Sequence, residues 1–512
     1  MIILGIGGLG GDAAAAVLKD GELVAAVEES KLVRRPMHWG GRDQMPDRAI
    51  ATCLELAGAT PDQVDAVAVV RPFPSHDFHL RLRAGFPKSR IAVVEHHLAH
   101  AASAYYCSTF DEATVLTLDR GGDFRSGSRW RAAGKTLTLE QEHYAPDSLG
   151  DLYGRVTEML GFESSVDEHK VQWLSVTGDD RYRGLFTEIL NLTPDGPRID
   201  RSFLSTETTS RGGFGPRFFE RTGPDPEPAH LAAGIQRAVE DAVIQIAGKG
   251  DNLCLAGGLA LNALLISALE QRSGFHNVFV QPAAGNAGTA IGAVLHTAQA
   301  RVPLTTLSLG PGYSPNEIKQ VVENCKLGFR YMVTTDDVID TAVAQLNDHK
   351  IVAWMHGRME FGARALGNRS ILASPLNAYS TENLNAFIKH REPVRKFAAS
   401  VPAELCSEYF QTGPNARFLA TVGQVRPEHR ERFSAAILAG DRIRVHTVDK
   451  DDNPLYWRLL HAAGKSTGLP VLFNTSFNLF GEPLVCTPRD AVRSFYSSGI
   501  DALFIGNFFL QK

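Results

Sequence analysis

Two histidines four residues apart are the side chains in this sequence best suited to bind a metal ion. His96 and His100 lie in the run His96-His97-Leu-Ala-His100, and on a helix this spacing places both imidazoles on one face, within reach of one ion. Neutral imidazoles favour zinc or iron-type metals, and Glu95 and Asp119 could add oxygen ligands. Such a pair is about as typical of core or surface positions, so the spacing alone leaves both interpretations open.

Arginines and glycines alternate in a stretch of the C-terminal half. The run Gly357–Ser370 contains Arg358, Arg364 and Arg369, and a second basic run, Lys389–Lys396, follows it. Guanidinium groups bind phosphate through two parallel hydrogen bonds, and glycines let the backbone approach it. A solvated helix face is the alternative, but the glycines interrupt any regular helix. We therefore expect an anion site here.

A second polar run supports this expectation. Asn474-Thr-Ser476-Phe-Asn478 follows an apolar run that predicts a buried strand. In α/β sheets, ligands bind outside the carboxyl ends of the strands. We therefore expect Asn474 to face a ligand.

Glycine-rich loops follow two predicted strands. Gly5-x-Gly7-x-x-Gly10 matches a dinucleotide fingerprint, but the turn at Asp20-Gly21 comes too soon for the helix that such a site requires. The loop Asp119-Arg-Gly-Gly-Asp123 repeats the pattern. We expect backbone N–H groups of both loops to face phosphate, a plain tight turn being the alternative.

Gly464-Lys465-Ser466-Thr467 resembles the end of a P-loop. The first glycine of that motif should stand at position 459, which is Leu459. We therefore interpret Gly464 as the C-terminal cap of a helix rather than as part of a nucleotide site.

Apolar patterning predicts the strands that position these loops. The first set is Ile2–Ile6, Ala13–Leu18 and Leu23–Val27, and a second set is Thr114–Leu118, Ser126–Ala132 and Thr136–Leu139. Two copies of strand, loop and hairpin indicate an internal duplication. This is the pattern of phosphate-binding folds built like actin and sugar kinases.

Helices and further buried strands fill the rest of the chain, which indicates an α/β protein. Helical spacing predicts helices over Leu231–Ile246, Asp336–Asn347 and Ala378–Ile388. Short apolar runs predict strands at Leu253–Ala256, Val278–Val280, Val352–Met355 and Pro470–Phe473. A chain of 512 residues is longer than a single hydrophobic core usually accommodates. Prolines and glycines cluster from Val302 to Pro315, as is typical of a domain boundary, so we expect domains at 1–308 and 309–512.

Composition argues against several classes of protein. The net charge is −5, with 52 basic and 57 acidic residues, so no basic excess indicates a nucleic-acid or membrane partner. The six cysteines form no C-x-x-C pair, which favours a reducing compartment over a disulfide framework. With no signal peptide and no long apolar run, we expect a cytoplasmic protein.

Taken together, these motifs resemble the NodU/CmcH-type carbamoyltransferases of antibiotic and nodulation-factor biosynthesis. The resemblance runs nearly from end to end and is highly specific as a joint pattern. It rests on His96–Ala104, Leu255–Asn262, Gly285–Gly292, Gly357–Leu372, Lys389–Ala398, Arg444–Val448, Asp452–Pro454 and Asn474–Thr487.

The resemblance implies an architecture and a two-step reaction. The N-terminal domain would be a duplicated, actin-like (ASKHA) domain, similar to threonylcarbamoyl-transferring proteins, and the C-terminal domain YrdC-like. The YrdC-like domain would make carbamoyl-adenylate from ATP and carbamoyl phosphate, releasing pyrophosphate. The carbamoyl group would then pass, in the N-terminal domain, to a hydroxyl or amine of a small-molecule acceptor. Mg²⁺ is expected with ATP, and iron or zinc at the histidine site.

The resemblance also implies roles for individual residues. Carbamoyl phosphate and nucleotide would contact Arg364, Lys389, Arg395, Arg444 and Asn474. The nucleotide would also contact Gly121, Gly122, Gly257, Gly258 and Asn262. Metal ligands would be His96, His100 and Asp119, and catalysis would involve Asp12, Arg364, Lys389 and Arg395.

The chain departs from the family pattern in its N-terminal half. Gly11 stands before Asp12 where the family usually has histidine, and a lysine expected after the first hairpin aligns near Pro36. The usual aspartate of the last metal-ligand loop is Asn286. A neutral amide oxygen is a weaker ligand than a carboxylate, so we expect a weakened metal site. The adenylating half keeps its arginine and lysine motifs.

Three other functions remain open from sequence alone. Carbamoyl-adenylate could be formed but hydrolysed or passed to an unusual acceptor. A degenerate homologue could bind nucleotide and regulate a partner, although the Arg364 and Lys389 motifs disfavour this. An actin-like kinase would lack the arginine-rich second domain. Neither the acceptor nor the oligomeric state can be read from the sequence.

Overall fold

The computed structural model describes residues 1–35, 45–72, 77–205, 212–377, 379–390 and 396–512, and the protein is of mixed α/β class. It divides into two compact units. The first unit contains Met1–Gly10 and Asp65–Pro303, and the second contains Gly11–Val64 and Leu304–Lys512. The first unit ends close to the expected boundary at 308/309, whereas residues 11–64 group with the C-terminal residues.

The described strands are short and mostly apolar. In chain order they are β1 Ile2–Gly7, β2 Ala14–Lys19, β3 Glu22–Glu28, β4 Ala66–Val70, β5 Arg90–Val94, β6 Glu112–Gly122, β7 Arg125–Ala133, β8 Thr136–Tyr144, β9 Leu192–Thr193, β10 Gly196–Pro197, β11 Lys249–Ala256, β12 Gly274–Val280, β13 Arg330–Tyr331, β14 Val352–Met355, β15 Arg369–Ala373, β16 Ala398–Pro402, β17 Phe410–Gln411, β18 Val422–Val425, β19 Arg442–Val448, β20 Leu472–Ser476, β21 Ala502–Ile505 and β22 Phe508–Gln511.

The described α-helices alternate with these strands. They are α1 Glu29–Val33, α2 Asp47–Leu56, α3 Asp77–Gly85, α4 His96–Tyr105, α5 Leu149–Met159, α6 Glu168–Leu174, α7 Arg183–Leu190, α8 Pro216–Thr222, α9 Pro228–Ala247, α10 Ala263–Arg272, α11 Thr289–Ala298, α12 Pro315–Asn324, α13 Thr335–Asn347, α14 Ser380–Asn383, α15 Cys406–Tyr409, α16 Pro454–Thr467 and α17 Pro488–Tyr496.

The first unit contains two sets of parallel strands. Strands β1, β4 and β5 are parallel neighbours, and so are β6, β11 and β12 in a sheet of order β12-β11-β6-β7-β8. In each case the first strand precedes an antiparallel hairpin in the chain, β2–β3 or β7–β8. This recurrence matches the strand pattern expected from the repeated sequence.

A ten-stranded sheet forms the centre of the second unit, in the order β13-β22-β21-β14-β15-β20-β16-β19-β18-β17. Both faces are buried, because alternate residues of one strand join different cores. Ile371 packs with one core, which α12 and α17 cover. Leu372 packs with the other, which α13 and α16 cover.

Residues 11–64 are joined to the rest of the second unit by hydrogen bonds of the Arg34 side chain and of the backbone. Arg34 donates hydrogen bonds to the carbonyl oxygens of Pro483 (3.0 Å) and Leu484 (2.6 Å) and pairs with Glu482. The backbone N–H of Ala26 also donates to the carbonyl of Leu309. These bonds join residues separated by hundreds of positions in the chain.

The structure differs from two sequence-based expectations in the C-terminal half. The cap of α16 is Gly468, in a left-handed conformation at φ 72°, and Gly464 lies inside the helix. The interpretation of Gly464 as the cap was therefore wrong, because the helix continues for one more turn. The expected helix at Ala378–Ile388 is instead α14 followed by a π-helix at Leu384–Lys389; Ala378 itself lies outside the described residues.

Within the first unit, glycines allow unusually close packing around α11. A methyl group on Gly5 of β1 would lie 2.3 Å from the carbonyl oxygen of Ala290, and one on Gly7 would lie 2.4 Å from Thr289 Oγ1. A methyl group on Gly292 would lie 1.8 Å from the carbonyl oxygen of Ala99 in α4. The Gly5-x-Gly7 motif therefore serves helix packing, and β2 rather than a helix follows it, as expected.

Among the described residues, no helix combines the length and apolar character needed to cross a membrane.

The packing of α11 against α4 generates a stability prediction. Gly292→Ala should lower the free energy of unfolding by about 1–3 kcal/mol or more, because its methyl group would overlap a backbone carbonyl. Gly184→Ala is the matched control, since Gly184 is also helical and a methyl group there meets no atom within 4 Å. It should be neutral or stabilising by up to about 1 kcal/mol. Denaturant unfolding measures both, and equal effects would contradict the proposed close contact.

Candidate metal and anion sites

Helix α4 begins at the metal-binding sequence because Glu95 caps it. The Glu95 carboxylate accepts hydrogen bonds from the backbone N–H groups of His97 (3.0 Å) and Leu98 (2.8 Å), which have no partner within the helix. It also pairs with Arg125 at 2.8 Å. Glu95 is therefore engaged in capping, and it is not among the clustered candidate ligands. Its suggested role as an oxygen ligand was wrong.

His96, His100 and Asp119 form a compact cluster in the first unit. The distance from His96 Nε2 to Asp119 Oδ2 is 3.0 Å, and that from His100 Nε2 to the same oxygen is 3.3 Å. One ligand atom from each residue lies within 4.8 Å of the others. The i, i+4 spacing thus does place both imidazoles against one carboxylate, which stands on β6.

Asn286 offers a fourth possible ligand atom, an amide oxygen, beside this cluster. It belongs to a 3-10 turn, Asn286–Gly288, that leads directly into α11. Its Oδ1 is buried, and its side chain interacts by hydrogen bonding with the fully buried His100. Two imidazoles, a carboxylate and an amide oxygen fit a zinc or iron-type ion.

The charges of the cluster are mutually dependent. Burial opposes ionisation of Asp119, but hydrogen bonds from His100 and His96 hold its pKa well below the usual value. Burial alone would lower the pKa of His96, yet the Asp119 hydrogen bond and charge raise it. The pKa of His100 is lowered by its complete burial, against the effect of Asp119. The carboxylate is thus kept ionised and available as a ligand.

His97, between the two candidate ligands, has a positioning role instead. Its Nδ1 accepts from the Thr117 hydroxyl (2.7 Å), so Nε2 carries the proton that is donated to the Arg125 carbonyl (3.2 Å). Burial lowers its pKa to about 3, which keeps the ring neutral. Ser128 lies 2.6 Å from the Thr117 hydroxyl and accepts from Trp130. This chain fixes α4 to the β6–β7 hairpin.

The glycines expected to contact nucleotide lie around the same cluster. A methyl group on Gly122 would lie 2.2 Å from the His96 ring, and one on Gly258 would lie 3.1 Å from Asp119 Oδ1. Gly257 has φ 98°, and a methyl group there would lie 2.1 Å from the carbonyl oxygen of Leu118. Gly121 is exposed. The sequence predicted a loop at residues 119–123, but β6 continues to Gly122 with an irregular register.

Asn262 has a clear structural role. Its Oδ1 caps α10 by accepting from the N–H groups of Leu264 and Leu265, and its Nδ2 donates to Gln236. Gln236 also accepts from Tyr153 and donates to the fully buried Glu240. Both the oxygen and the nitrogen of the Asn262 side-chain amide are therefore hydrogen-bonded within the protein. Contact of Asn262 with nucleotide stays a prediction.

In the second unit, one carboxylate shapes the loop between β14 and β15. Glu360 is fully buried, and its Oε1 accepts from the N–H groups of Leu366 (2.8 Å), Asn368 (2.8 Å) and Arg369 (3.1 Å). Lys31 donates to the carbonyl oxygens of Glu360 and Gly362, each at 2.9 Å. These bonds hold the glycine-rich loop in one conformation.

The three arginines of this loop have different roles. Arg369 is fully buried and donates to the carbonyls of His356 and Pro311, among others. Arg358 donates to the carbonyl of Gly310. Arg369 and Arg358 therefore stabilise the backbone through hydrogen bonds. This differs from the expectation that the arginines of Gly357–Ser370 together bind anions. Arg364 is partly exposed, and its buried surroundings lower its pKa to about 10.

Asn474 and Arg444 lie in one row across the ten-stranded sheet. Asn474 is in register with Ala398, which is in register with Arg444, so both side chains project from the same face, about 10 Å apart. Asn474 Nδ2 donates to the carbonyl of Ala365, the residue after Arg364. The structure thus brings Arg364, Asn474 and Arg444 to one region.

Lys389 reaches the same strand end from the π-helix. Its ammonium donates to the carbonyl oxygens of Ser476 (2.6 Å) and Asn478 (2.9 Å) and to Asn478 Oδ1 (2.7 Å). Arg395 lies outside the described residues. Asp12 belongs to the second unit. Its catalytic role stays a prediction. Lys465 is exposed in the last turn of α16, and the Gly464-Lys465 run is not a P-loop.

A buried polar group beside Asn474 was not singled out from the sequence. Ser400 accepts from Asn474 Nδ2 (3.2 Å) and bonds His446 Nδ1 (3.0 Å), and Tyr456 stacks on the His446 ring. Burial lowers the pKa of His446 to about 3, so it is neutral. The signal in the sequence was His446 itself, two residues after Arg444 and so on the same strand face.

Comparison with known proteins adds independent information. The family model described as Carbamoyltransferase N-terminus matches residues 76–295, and Carbamoyltransferase C-terminus matches 343–512. An uncharacterised Synechocystis sp. protein is 32% identical over 100% of this chain and 96% of its own. The nodulation protein NolNO of Sinorhizobium fredii is 34% identical over 98% of this chain and 79% of its own.

A shorter match is with the 3'-hydroxymethylcephem-O-carbamoyltransferase of Amycolatopsis lactamdurans, which is 31% identical over 52% of this chain and 49% of its own. Among solved structures, T. kodakarensis HypF is similar over 58% of this chain and 47% of its own, at 12% identity. Its TM-score of 0.38 is too low to assign a fold.

The donor set of the cluster generates a prediction about metal retention. Asn286→Asp should hold zinc or iron more tightly than the wild type, because a carboxylate restores a charge and a stronger oxygen donor. His100→Gln should lose the ion, whereas His97→Gln, which changes a neighbouring histidine that is not in the cluster, should retain it. Elemental analysis after treatment with increasing concentrations of a chelator measures how tightly each variant retains the metal. Tight retention by the wild type with no gain in Asn286→Asp would exclude Asn286 as a ligand.

Proposed function

The chain belongs to the carbamoyltransferase family, and we propose that it works in two steps, joining a carbamoyl group to AMP and then transferring it. In the first step, carbamoyl phosphate, ATP and water give carbamoyl-adenylate, pyrophosphate and phosphate. In the second, an acceptor hydroxyl or amine attacks the carbamoyl carbon, the bond from that carbon to the phosphate oxygen of AMP breaks, and AMP leaves with the proton released to a base.

The observation that carries the first step is the convergence of Arg364, Arg444 and Asn474 in the second unit, near Lys389, whose ammonium is also bound to Ser476 and Asn478. Carbamoyl phosphate and ATP are both anionic, so fixed cations are needed to bring them together and to stabilise charge in the transition state. The loop carrying Arg364 is held by the buried Glu360, so the guanidinium is positioned before substrate arrives. Mg²⁺ would accompany the ATP phosphates.

The second step is assigned to the histidine cluster. A divalent ion held there would polarise the carbamoyl carbonyl oxygen. The chain's own contribution is to orient the ligands: Asp119 is kept ionised by its two histidines, and Gly122 and Gly258 let the backbone pack closely against His96 and Asp119. Asp12, which belongs to the second unit, stays a candidate general base from the family resemblance alone.

The finer assignments rest on the family resemblance. We propose a duplicated actin-like architecture for the N-terminal domain, supported by the two parallel strand sets, and a YrdC-like architecture for the C-terminal domain. The acceptor would be a small natural-product molecule, since one relative is named a hydroxymethylcephem O-carbamoyltransferase and others nodulation proteins. Asn286 in place of the family's usual aspartate favours a second candidate, in which carbamoyl-adenylate forms but is hydrolysed or passed to an unusual acceptor.

The first step should be measurable without an acceptor. We expect pyrophosphate release from ATP that depends on carbamoyl phosphate. Arg364→Ala should slow it about 10- to 150-fold, because a hydrogen bond to a charged group contributes about 1.5–3 kcal/mol. Lys465→Ala, which removes a cation from an exposed helix end, is the control and should leave the rate unchanged.

Two results would contradict this assignment. Folded wild-type protein whose pyrophosphate release ignores carbamoyl phosphate would exclude carbamoyl-adenylate formation. A wild-type rate in Arg364→Ala would exclude that residue from the site, while leaving the reaction itself in place.

A further inference from the structure

The hairpin that joins β6 to β7 contains an unusual residue at its tip. Gly122 and Arg125 are paired, so Asp123 and Phe124 form a two-residue loop. Both have positive φ, 53° and 66°, which is the pattern of a type I′ turn. Such turns favour Asn-Gly or Asp-Gly because the second residue is left-handed, a conformation that is an outlier for a bulky residue. Phe124 stands where glycine would fit.

The strain at Phe124 is not offset by packing. Its side chain is 89% exposed, so the ring contributes little to the core. Tyr144, also exposed, lies on the neighbouring strand opposite Arg125, and the Ala145 N–H donates to the Phe124 carbonyl at 2.9 Å. Backbone strain in a residue with no structural contribution of its own is typical of functional sites.

The position of the hairpin tip connects Phe124 with the histidine cluster. Asp123 Oδ2 accepts from the backbone N–H of His96 (3.2 Å) and from Arg71 Nε (2.9 Å). Gly122, the other neighbour of Asp123, lies so close to the His96 ring that it has no room for a methyl group. The hairpin tip that carries the exposed ring is therefore bound to His96, a candidate metal ligand of the cluster assigned to carbamoyl transfer.

We propose that Phe124 is a specificity-determining residue for the acceptor, and that its ring stacks on a ring or flat apolar face of the acceptor molecule. This inference rests on the proposed function of the cluster. Aromatic rings stack favourably on other rings in offset or edge-to-face geometry. An aromatic ring at this hairpin tip would favour ring-bearing acceptors over acceptors without a ring.

Competition between two simple alcohols tests this proposal. Benzyl alcohol and ethanol both offer a primary hydroxyl, and only the first carries a ring. With ATP and carbamoyl phosphate, wild-type protein should carbamoylate benzyl alcohol preferentially, measured by product mass. Phe124→Ala should lower that preference about 2- to 12-fold, the range expected for one stacked pair, and Phe124→Trp should retain it. Tyr331→Ala removes an exposed aromatic side chain from the second unit and should change nothing.

Two further readouts separate the possible failures. Pyrophosphate release is followed in the same samples: its absence overturns the proposed function and this inference with it, whereas normal release without any ring preference in the wild type, or with an unchanged preference in Phe124→Ala, overturns this inference alone. Phe124→Gly should unfold at a higher temperature than the wild type while losing the ring preference. A lower unfolding temperature would show that the ring stabilises the fold, and would overturn the functional explanation of the strain.

Discussion

The contact between α11 and α4 at Gly292 is the constraint on which the metal cluster depends. Because Gly292 has no side chain, the two helix backbones approach within a distance that no other residue allows. Helix α4 carries both candidate imidazoles, and the turn leading into α11 carries Asn286. The same helix packs on β1 through Gly5 and Gly7. One interhelical distance therefore sets the positions of ligands that are far apart in the chain.

In the second unit, buried charged side chains, rather than closely packed backbones, fix the position of the candidate site. Glu360 and Arg369 are both fully buried, and each is satisfied mainly by backbone groups of the loop they belong to. Each side chain binds several separate backbone groups of the loop at once, so the two side chains together specify one loop conformation. Arg364, in the same loop, is thereby presented in a fixed place.

The sequence predicted strands better than it predicted the roles of individual charges. Most of the apolar runs and turns were located correctly, because they depend on local patterning. The spacing of His96 and His100 placed both rings on one side of the helix, and in the structure both lie against Asp119; metal binding there stays a prediction. In contrast, Arg369 and Arg364 stand in similar sequence surroundings. Only the tertiary structure shows that Arg369 stabilises the backbone, whereas Arg364 is a candidate anion-binding residue. Gly5 and Gly7 likewise matched a phosphate-loop motif, because the sequence does not distinguish a glycine required for close helix packing from one that contacts phosphate.

The bonds of Lys31 and Arg34 have a consequence for how the protein is made. During synthesis, residues 11–64 leave the ribosome before the partners of these side chains exist. The roughly 240 residues between position 64 and position 304 require about 10 to 50 seconds of translation. During this time β2 and β3 can already pair with each other, but the side chains of Lys31 and Arg34 have none of these C-terminal partners. The two cations therefore reach their final hydrogen-bond partners only after the C-terminal half of the chain has been synthesised.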